Sequence, residues 1–387
     1  MNNRTIVSMR YCAGYDDYPA LKAQIAAGIE DLGGIGRFVS PGERVLLKPN
    51  LLMRKSPEEA ATTHPAVVRA LAEIVIARGA SAVIGDSPAG PFTEFMLRGI
   101  YKASGMARAA EESGAALNAN FAVCERENPG GLLLKRIVMA DMLGEADKVI
   151  SVAKLKTHGM MTYTGAVKNM FGAIPGLKKA EYHNNMAVYA NFADALVDIC
   201  ECAAPALSVI DGVVGMEGPG PSAGRPRALN CVICSESPYH ADKAACAVIG
   251  LKPGDVPVLA AAVRRGLSSA DLDDIDFAGE PLSRFAVNDF DVRVNKSASM
   301  GGMAVIGGFL RGRPVFAHDK CTGCGVCARS CPPRVITMKN RRPYVNLKGC
   351  LRCYCCHELC PFKAVEIRTP PLGRVLEAGR KRRPGAR

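Results

Sequence analysis

The chain has 387 residues, 48% of them hydrophobic, enough for one large core with a small appended module; no apolar run reaches the roughly 18 residues of a membrane span. No apolar leader precedes Asp16-Asp17, so a cytoplasmic protein with neither signal peptide nor membrane contact is expected, and its sixteen cysteines point to metal or redox chemistry rather than disulfides. The net charge of +12 argues only weakly for nucleic acid, because no Trp is present and the aromatics do not interleave with the basic residues.

In chain order, residues 43–50 (ERVLLKPN) read as a strand running into a polar loop. Residues 64–80 have helical periodicity and end at a glycine cap. Residues 81–88 (SAVIGDSP) read as a strand and residues 92–114 as one helix. Further strands are expected at 148–158 (KVISVAKLKTH), 206–215 and 228–236, with helices at 191–203 and 239–251. Strands alternating with helices predict an α/β fold, a largely parallel sheet covered by helices on both faces. The pattern loosens between 287 and 312. This places an α/β domain over 1–312, a small ferredoxin-type α+β iron–sulfur module over 313–368, and a basic, flexible tail over 369–387.

The module is an internal repeat. Residues 321–331 (CTGCGVCARSC) and 350–360 (CLRCYCCHELC), each followed by proline, share the spacing C-x2-C-x2-C-x3-C-P. A [4Fe–4S] cube offers four irons that each want one soft thiolate. In this spacing the fourth cysteine of each run closes the other run's cube. Two [4Fe–4S] clusters are therefore expected, one on Cys321, Cys324, Cys327 and Cys360, the other on Cys350, Cys353, Cys356 and Cys331. Zinc competes for any CxxC pair, but two matched runs ending in Cys-Pro favour iron and sulfide. Cys355 is left as a spare thiol in a crowded loop. Many basic residues and few acids surround the module, which fits either docking on an acidic surface or a solvated basic face.

The α/β portion has no phosphate loop, no nucleophile elbow and no zinc-protease helix. GPGPSAG at 218–224 carries two prolines and reads as a loop. In an open α/β sheet, ligands bind beyond the carboxyl ends of the strands. Those ends carry Lys48 and Asn50, Asp86, the pair Lys154 and Lys156, His158, and Asp211. Residues 164–169, with Lys168 and Asn169, read as a helix start whose amides favour an anion. Lysines at strand ends are often merely exposed, yet so many ionisable ends together predict a pocket for a carboxylate or phosphate. Lys48, Lys154, Lys156 and Lys168 would hold the anion, Asp86 and Asp211 would orient it or move protons, and His158 would be an acid or base. His64 and His183 are read as carrying no chemistry, and Cys12, Cys124, Cys200, Cys202, Cys231, Cys234 and Cys246 as small hydrophobes.

The segments VLLKPNLL, THPAVVRALAEI, VIGDSP, VISVAKLKTHGMMTYTGAVKNMFGAIPG and VIDGVVGMEGPGPSAG resemble the domain-of-unknown-function 362 family. Many of its members end in a two-cluster ferredoxin module. The resemblance implies this architecture and leaves the reaction open. The expected function is an iron–sulfur oxidoreductase passing single electrons between the clusters and an anionic ligand, with a redox partner protein and room for a further, unidentified cofactor such as a flavin. The alternatives are a non-enzymatic electron carrier whose large domain recognises a partner, and a cofactor-maturation factor.

Overall fold

A computed structural model describes residues 4–186, 188–292, 294 and 312–368. The basic tail expected at 369–387 lies outside the described residues, as does most of the stretch before residue 312. β1 (Thr5–Tyr11) leads into α1 (Tyr18–Glu30), capped by Asp17, which accepts from the Ala20 amide at 3.1 Å. β2 (Arg44–Pro49), α2 (Pro65–Ala77) and β3 (Ser81–Ile84) follow. Pro65 opens α2 where an amide would have had no partner in the helix.

The single helix expected over 92–114 is two, α3 (Glu94–Ala103) and α4 (Met106–Ser113). Gly105 between them takes φ +76°, the left-handed region that ends a right-handed helix. Next come β4 (Ala116–Leu117), the hairpin β5 (Val123–Glu127) and β6 (Arg136–Ala140), then the long strand β7 (Lys148–His158) and its return β8 (Thr162–Thr164). α5 (Ala166–Asn169), α6 (Lys178–Asn185) and α7 (Tyr189–Ala203) lead to β9 (Leu207–Glu217) and β10 (Arg225–Ser235). α8 (Pro238–Val248), α9 (Pro257–Arg264) and β11 (Ile275–Gly279) complete this part.

Nine strands form one sheet in the order β11-β1-β10-β9-β7-β2-β3-β4, with β8 folded back on β7. From β9 through β4 every neighbour is parallel, whereas β10 runs antiparallel to both β9 and β1. The α/β class holds, with β10 and β8 making the sheet mixed. Apolar residues of β7 alternate between the two faces: Ile150 and Val152 pack with Leu21, Leu71 and Leu97 of α1–α3, Ala153 and Leu155 with Ala241 and Leu259 of α8 and α9. Among the described residues no helix is long and apolar enough to cross a membrane.

The cysteine-rich part repeats at 29 residues, Cys321 to Cys350. β12 (Arg313–Phe316) recurs as β14 (Arg342–Val345), α10 (Val326–Arg329) as α11 (Cys355–Glu358), and β13 (Ile336–Lys339) as β15 (Val365–Arg368). Left-handed residues recur in step: Gly323 with Arg352, Gly325 with Tyr354, Arg334 with Lys363. β12 pairs with β15 and β13 with β14, so each ribbon takes one strand from each half.

Candidate functional site

β7 is buried along nearly its whole length, as a strand covered on both faces must be, yet it ends in Lys154, Lys156 and His158, all buried. Charge placed there has to be answered nearby. Lys154 Nζ lies 2.8 Å from Asp211 Oδ2 on the neighbouring β9, and both side chains are at most 1% exposed. Tyr15 OH donates to the other Asp211 oxygen at 2.7 Å, and the His64 amide donates to Oδ2 at 2.9 Å. The charges of Lys154 and Asp211, both expected at the ligand, are thus already answered within the protein, and the pair braces β7 against β9.

Lys48, at the end of β2, meets Asp86 beyond β3 at 2.7 Å. The second Asp86 oxygen accepts from the Leu51 amide at 2.9 Å. The turn after α5 lies directly over this pair: a Cβ at Gly172 would stand 2.0 Å from Asp86 Oδ1 and 2.3 Å from Lys48 Nζ. Asn169 ties α5 to β2 by donating to Lys48 O at 2.9 Å and Ser151 Oγ at 3.1 Å. Asn50 accepts from Lys156 Nζ at 2.8 Å.

Three lysines in this cluster, Lys156, Lys168 and Lys179, have no carboxylate within ion-pair distance among the described residues. Lys156 bonds Asn50 and the Ala61 carbonyl, and Lys179 bonds the carbonyls of Ser87 and Ile174. Lys168 and Lys179 each stand 5.7 Å from the Phe171 ring centre. Burial lowers all three ammoniums, Lys156 and Lys179 to about 7, and Lys168 adds to the effect on both. Around them the buried atoms Ser87 Oγ, His158 Nε2 and His183 Nδ1 have no hydrogen-bond partner among the described residues. Burial, and then the charge of Lys168, hold His158 well below its ordinary value. His158 Nδ1 accepts from the Met160 and Met161 amides at 3.1 and 3.2 Å, so its proton sits on Nε2.

The helix start at 164–169 departs from expectation. Its amides are taken by the protein itself, with Asp242 accepting from Ala166 N at 2.6 Å and Val167 N at 3.1 Å. No outside anion is needed there. Among the cysteines read as small hydrophobes, Cys124 and Cys202 are only half-buried, whereas Cys12 lies near enough to Cys231 and Cys234 to raise both thiols, after burial has done most of it.

The iron–sulfur module sits on these strand ends through its second half. Tyr354, 6% exposed, joins the core cluster of α7 and α9. Tyr189 OH donates to Arg352 O and Ser222 Oγ to Glu358 O, both at 2.6 Å, and His357 Nε2 lies 3.1 Å from Pro219 O. Glu358 Oε2 is 3.6 Å from His158 Nε2. Cys355 donates to Cys353, and Glu358 supports the charge on Lys168.

A cavity within the module is lined by Cys331, Cys350, Cys353 and Cys356, with Pro314, Val335 and Ile336 among its apolar walls. The cysteines acting electrostatically on Cys327 are Cys360, Cys321 and Cys324. Among the described residues no three His, Cys, Asp or Glu side chains converge as on a single ion. A cube sets its thiolates on four separate irons, so its cradle is wider than that of one ion. An all-thiol cradle with N–H donors to sulfur, such as Ala364 N to Cys360 Sγ at 3.3 Å, suits a cluster.

The family model for the domain of unknown function DUF362 matches residues 45–247, more than half of the chain. The chain belongs to this family. A second family model, a 4Fe-4S dicluster domain, matches residues 320–364 of this DUF362 protein. The chain is 35% identical over 253 residues to a thylakoid-associated protein of Synechocystis sp., an alignment covering 64% of this chain and 76% of that one. Its backbone loosely resembles the lactate racemase apoprotein of Thermoanaerobacterium thermosaccharolyticum, at 12% identity and TM-score 0.37 over 62% of this chain and 56% of that chain. A Thermotoga maritima protein gives 14% identity and TM-score 0.33 over 58% of each. The matched part therefore spans little more than half the length of these two structures.

Sequence reasoning missed Lys179, Tyr15 and Glu358. Lys179 and Tyr15 lie off the strand ends and reach the site only through packing. Glu358 sits inside the second cysteine run, where the first run has Arg329, and that sign change was the available signal.

Proposed function

We propose that this DUF362 protein is an iron–sulfur oxidoreductase that moves single electrons between two [4Fe–4S] clusters and an anionic ligand at the strand ends. The observation that carries this reading is a group of three lysines near Glu358 of the iron–sulfur module, Lys156 buried and Lys168 and Lys179 half-buried, which among the described residues have no carboxylate within ion-pair distance. Buried cations without counter-charge are costly, and an incoming carboxylate or phosphate would supply the missing charge. One set of ligands would be Cys321, Cys324, Cys327 and Cys360, the other Cys350, Cys353, Cys356 and Cys331; bound there, clusters supply one electron at a time.

The chain's own residues do the rest. Lys156, Lys168 and Lys179 hold the anionic group, and Lys48, fixed by Asp86, lends a further positive charge. Ser87 Oγ and His158 Nε2 are the unpartnered polar atoms placed to meet it. His158, neutral and carrying its proton on Nε2, can donate a hydrogen bond from that atom to the ligand. Glu358 Oε2 stands 3.6 Å from the same nitrogen and orients the ring. Tyr354 and the α11 turn close the site from above and keep water out. Lys154 and Asp211 hold the frame.

The test is anaerobic purification, iron and sulfide analysis, and identification of any released small molecule. About eight irons per chain with a carboxylate, phosphate or nucleotide released would support the reading. Zinc in place of iron would overturn it, and eight irons with no anion binding would leave an electron carrier.

A further inference from the structure

Because the module repeats at 29 residues, each half is an internal control for the other. Tyr354, Cys355, His357 and Glu358 of the second half all face the α/β part. Their counterparts in the first half are Gly325, Val326, Ala328 and Arg329, and among the described residues no hydrogen bond or ion pair ties these to the large sheet or its helices. The first loop faces outward instead, with Cys324 exposed where Cys353 is half-buried. The fold is symmetric and the side chains are not, which gives the two cluster positions different neighbours: the strand-end lysines for one, solvent for the other.

The outward loop is ringed by positive charge. Arg341 donates to Thr322 O at 3.2 Å and Arg342 to His318 O at 2.6 Å and to Cys321 O. A Cβ on Gly325 would lie 3.0 Å from the Arg329 guanidinium. Lys320, 56% exposed, is only loosely tied to Glu366 at 3.9 Å. The module as a whole has eleven Lys and Arg against Asp319, Glu358 and Glu366, and Glu358 is turned inward. Two acids therefore remain outside among eleven bases, a surface complementary to an acidic partner.

We propose that the loop Cys321–Cys327, with Lys320, Arg329, Arg341 and Arg342, is the docking surface for an acidic one-electron carrier protein, and that the half containing Cys350, Cys353 and Cys356 faces the ligand. This rests on the two-cluster reading above and gives it a direction. One electron leaves the reduced carrier, which is oxidised by one unit. A cluster held by Cys321, Cys324, Cys327 and Cys360 would take up that electron and pass it to one held by Cys350, Cys353, Cys356 and Cys331. No bond or proton changes hands on this leg.

The experiment measures binding of an acidic plant-type [2Fe–2S] ferredoxin to the iron-loaded full chain by calorimetry across ionic strengths, with iron content determined on the same samples. Wild-type affinity should fall steeply with salt. Lys320→Glu with Arg341→Glu should weaken binding by about tenfold or more, whereas Arg108→Glu with Arg136→Glu, the same charge change on the large domain, should leave it within about twofold. Equal weakening in both double variants, or salt-insensitive wild-type binding, overturns the docking surface while iron stays intact. The wild-type salt series decides even where a variant fails to load iron. A wild-type chain that holds no iron overturns the underlying cluster reading and this proposal with it.

Discussion

Glu358 Oε2 of the iron–sulfur module stands 3.6 Å from His158 Nε2 at the end of β7. This contact joins the 4Fe-4S dicluster domain to the strand ends, and it brings a carboxylate to a cluster of cations. The charge on Glu358 supports the protonated forms of both Lys168 and Lys156. Glu358→Gln should leave iron content unchanged. The lysines would then lose their protons at lower pH, so phosphate, taken as a probe anion, should be released at lower pH than from wild type, in which Lys156 titrates at about 7. Phosphate calorimetry between pH 5 and 9 measures the displacement; an unmoved profile would separate Glu358 from the anion site.

The Lys154–Asp211 pair is a brace, and breaking it should act on stability. Asp211→Asn leaves a buried ammonium without a counter-charge and should cost about 3–5 kcal/mol. Lys154→Met combined with Asp211→Leu removes both charges and should recover part of that loss, the remainder reflecting the Tyr15 and His64 hydrogen bonds. Denaturant titration of the three proteins gives the comparison.

Gly172 is glycine because the Lys48–Asp86 pair lies against its Cα. Gly172→Ala should push the pair apart and destabilise the protein by roughly 1–3 kcal/mol, the usual range for overpacking. Anion binding should weaken in the same variant, since the turn carrying Phe171 and the pair move together. Thermal unfolding and phosphate binding measured side by side test both halves of this expectation.

His64 sets a pH window for stability. Burial pushes its imidazole down to about 4 from the ordinary 6.5, with Asp211 partly opposing. Between those values the unfolded chain takes up a proton that the folded protein refuses. Stability is therefore complete above pH 6.5 and declines as pH falls toward 4, by at most about 1.4 kcal/mol per pH unit from this group. His64→Asn keeps a capping side chain at the start of α2 and removes the titration. Its stability-versus-pH slope in that window should be shallower by about one proton, read by urea unfolding at stepped pH; His183, pushed down to about 3, contributes to the same window and remains.

Local pattern made much of this protein legible in its sequence. Period-two and period-3.6 hydrophobicity located β2, β3, β7, β9 and the helices α2, α7 and α8, because those periods are set by backbone geometry and burial alone. The cysteine spacing specified the module, since metal ligation constrains residues close in sequence. Lys48, Lys154, Lys156, Asp86, Asp211 and His158 could be placed at strand ends because a parallel sheet aligns those ends. Their partners could not be read, for partnering depends on side-chain direction across separate elements. Only the tertiary structure decided that Lys154 and Asp211 answer each other, that Asp242 fills the start of α5, and that Lys179 joins the cluster from α6. The strand β10 was expected from its pattern, but its antiparallel direction was hidden, because a buried strand reads alike in either direction. The same physical reason covers the seating of the module: long-range packing of Tyr354 and the α11 turn, which no local period encodes, brings Glu358 to His158.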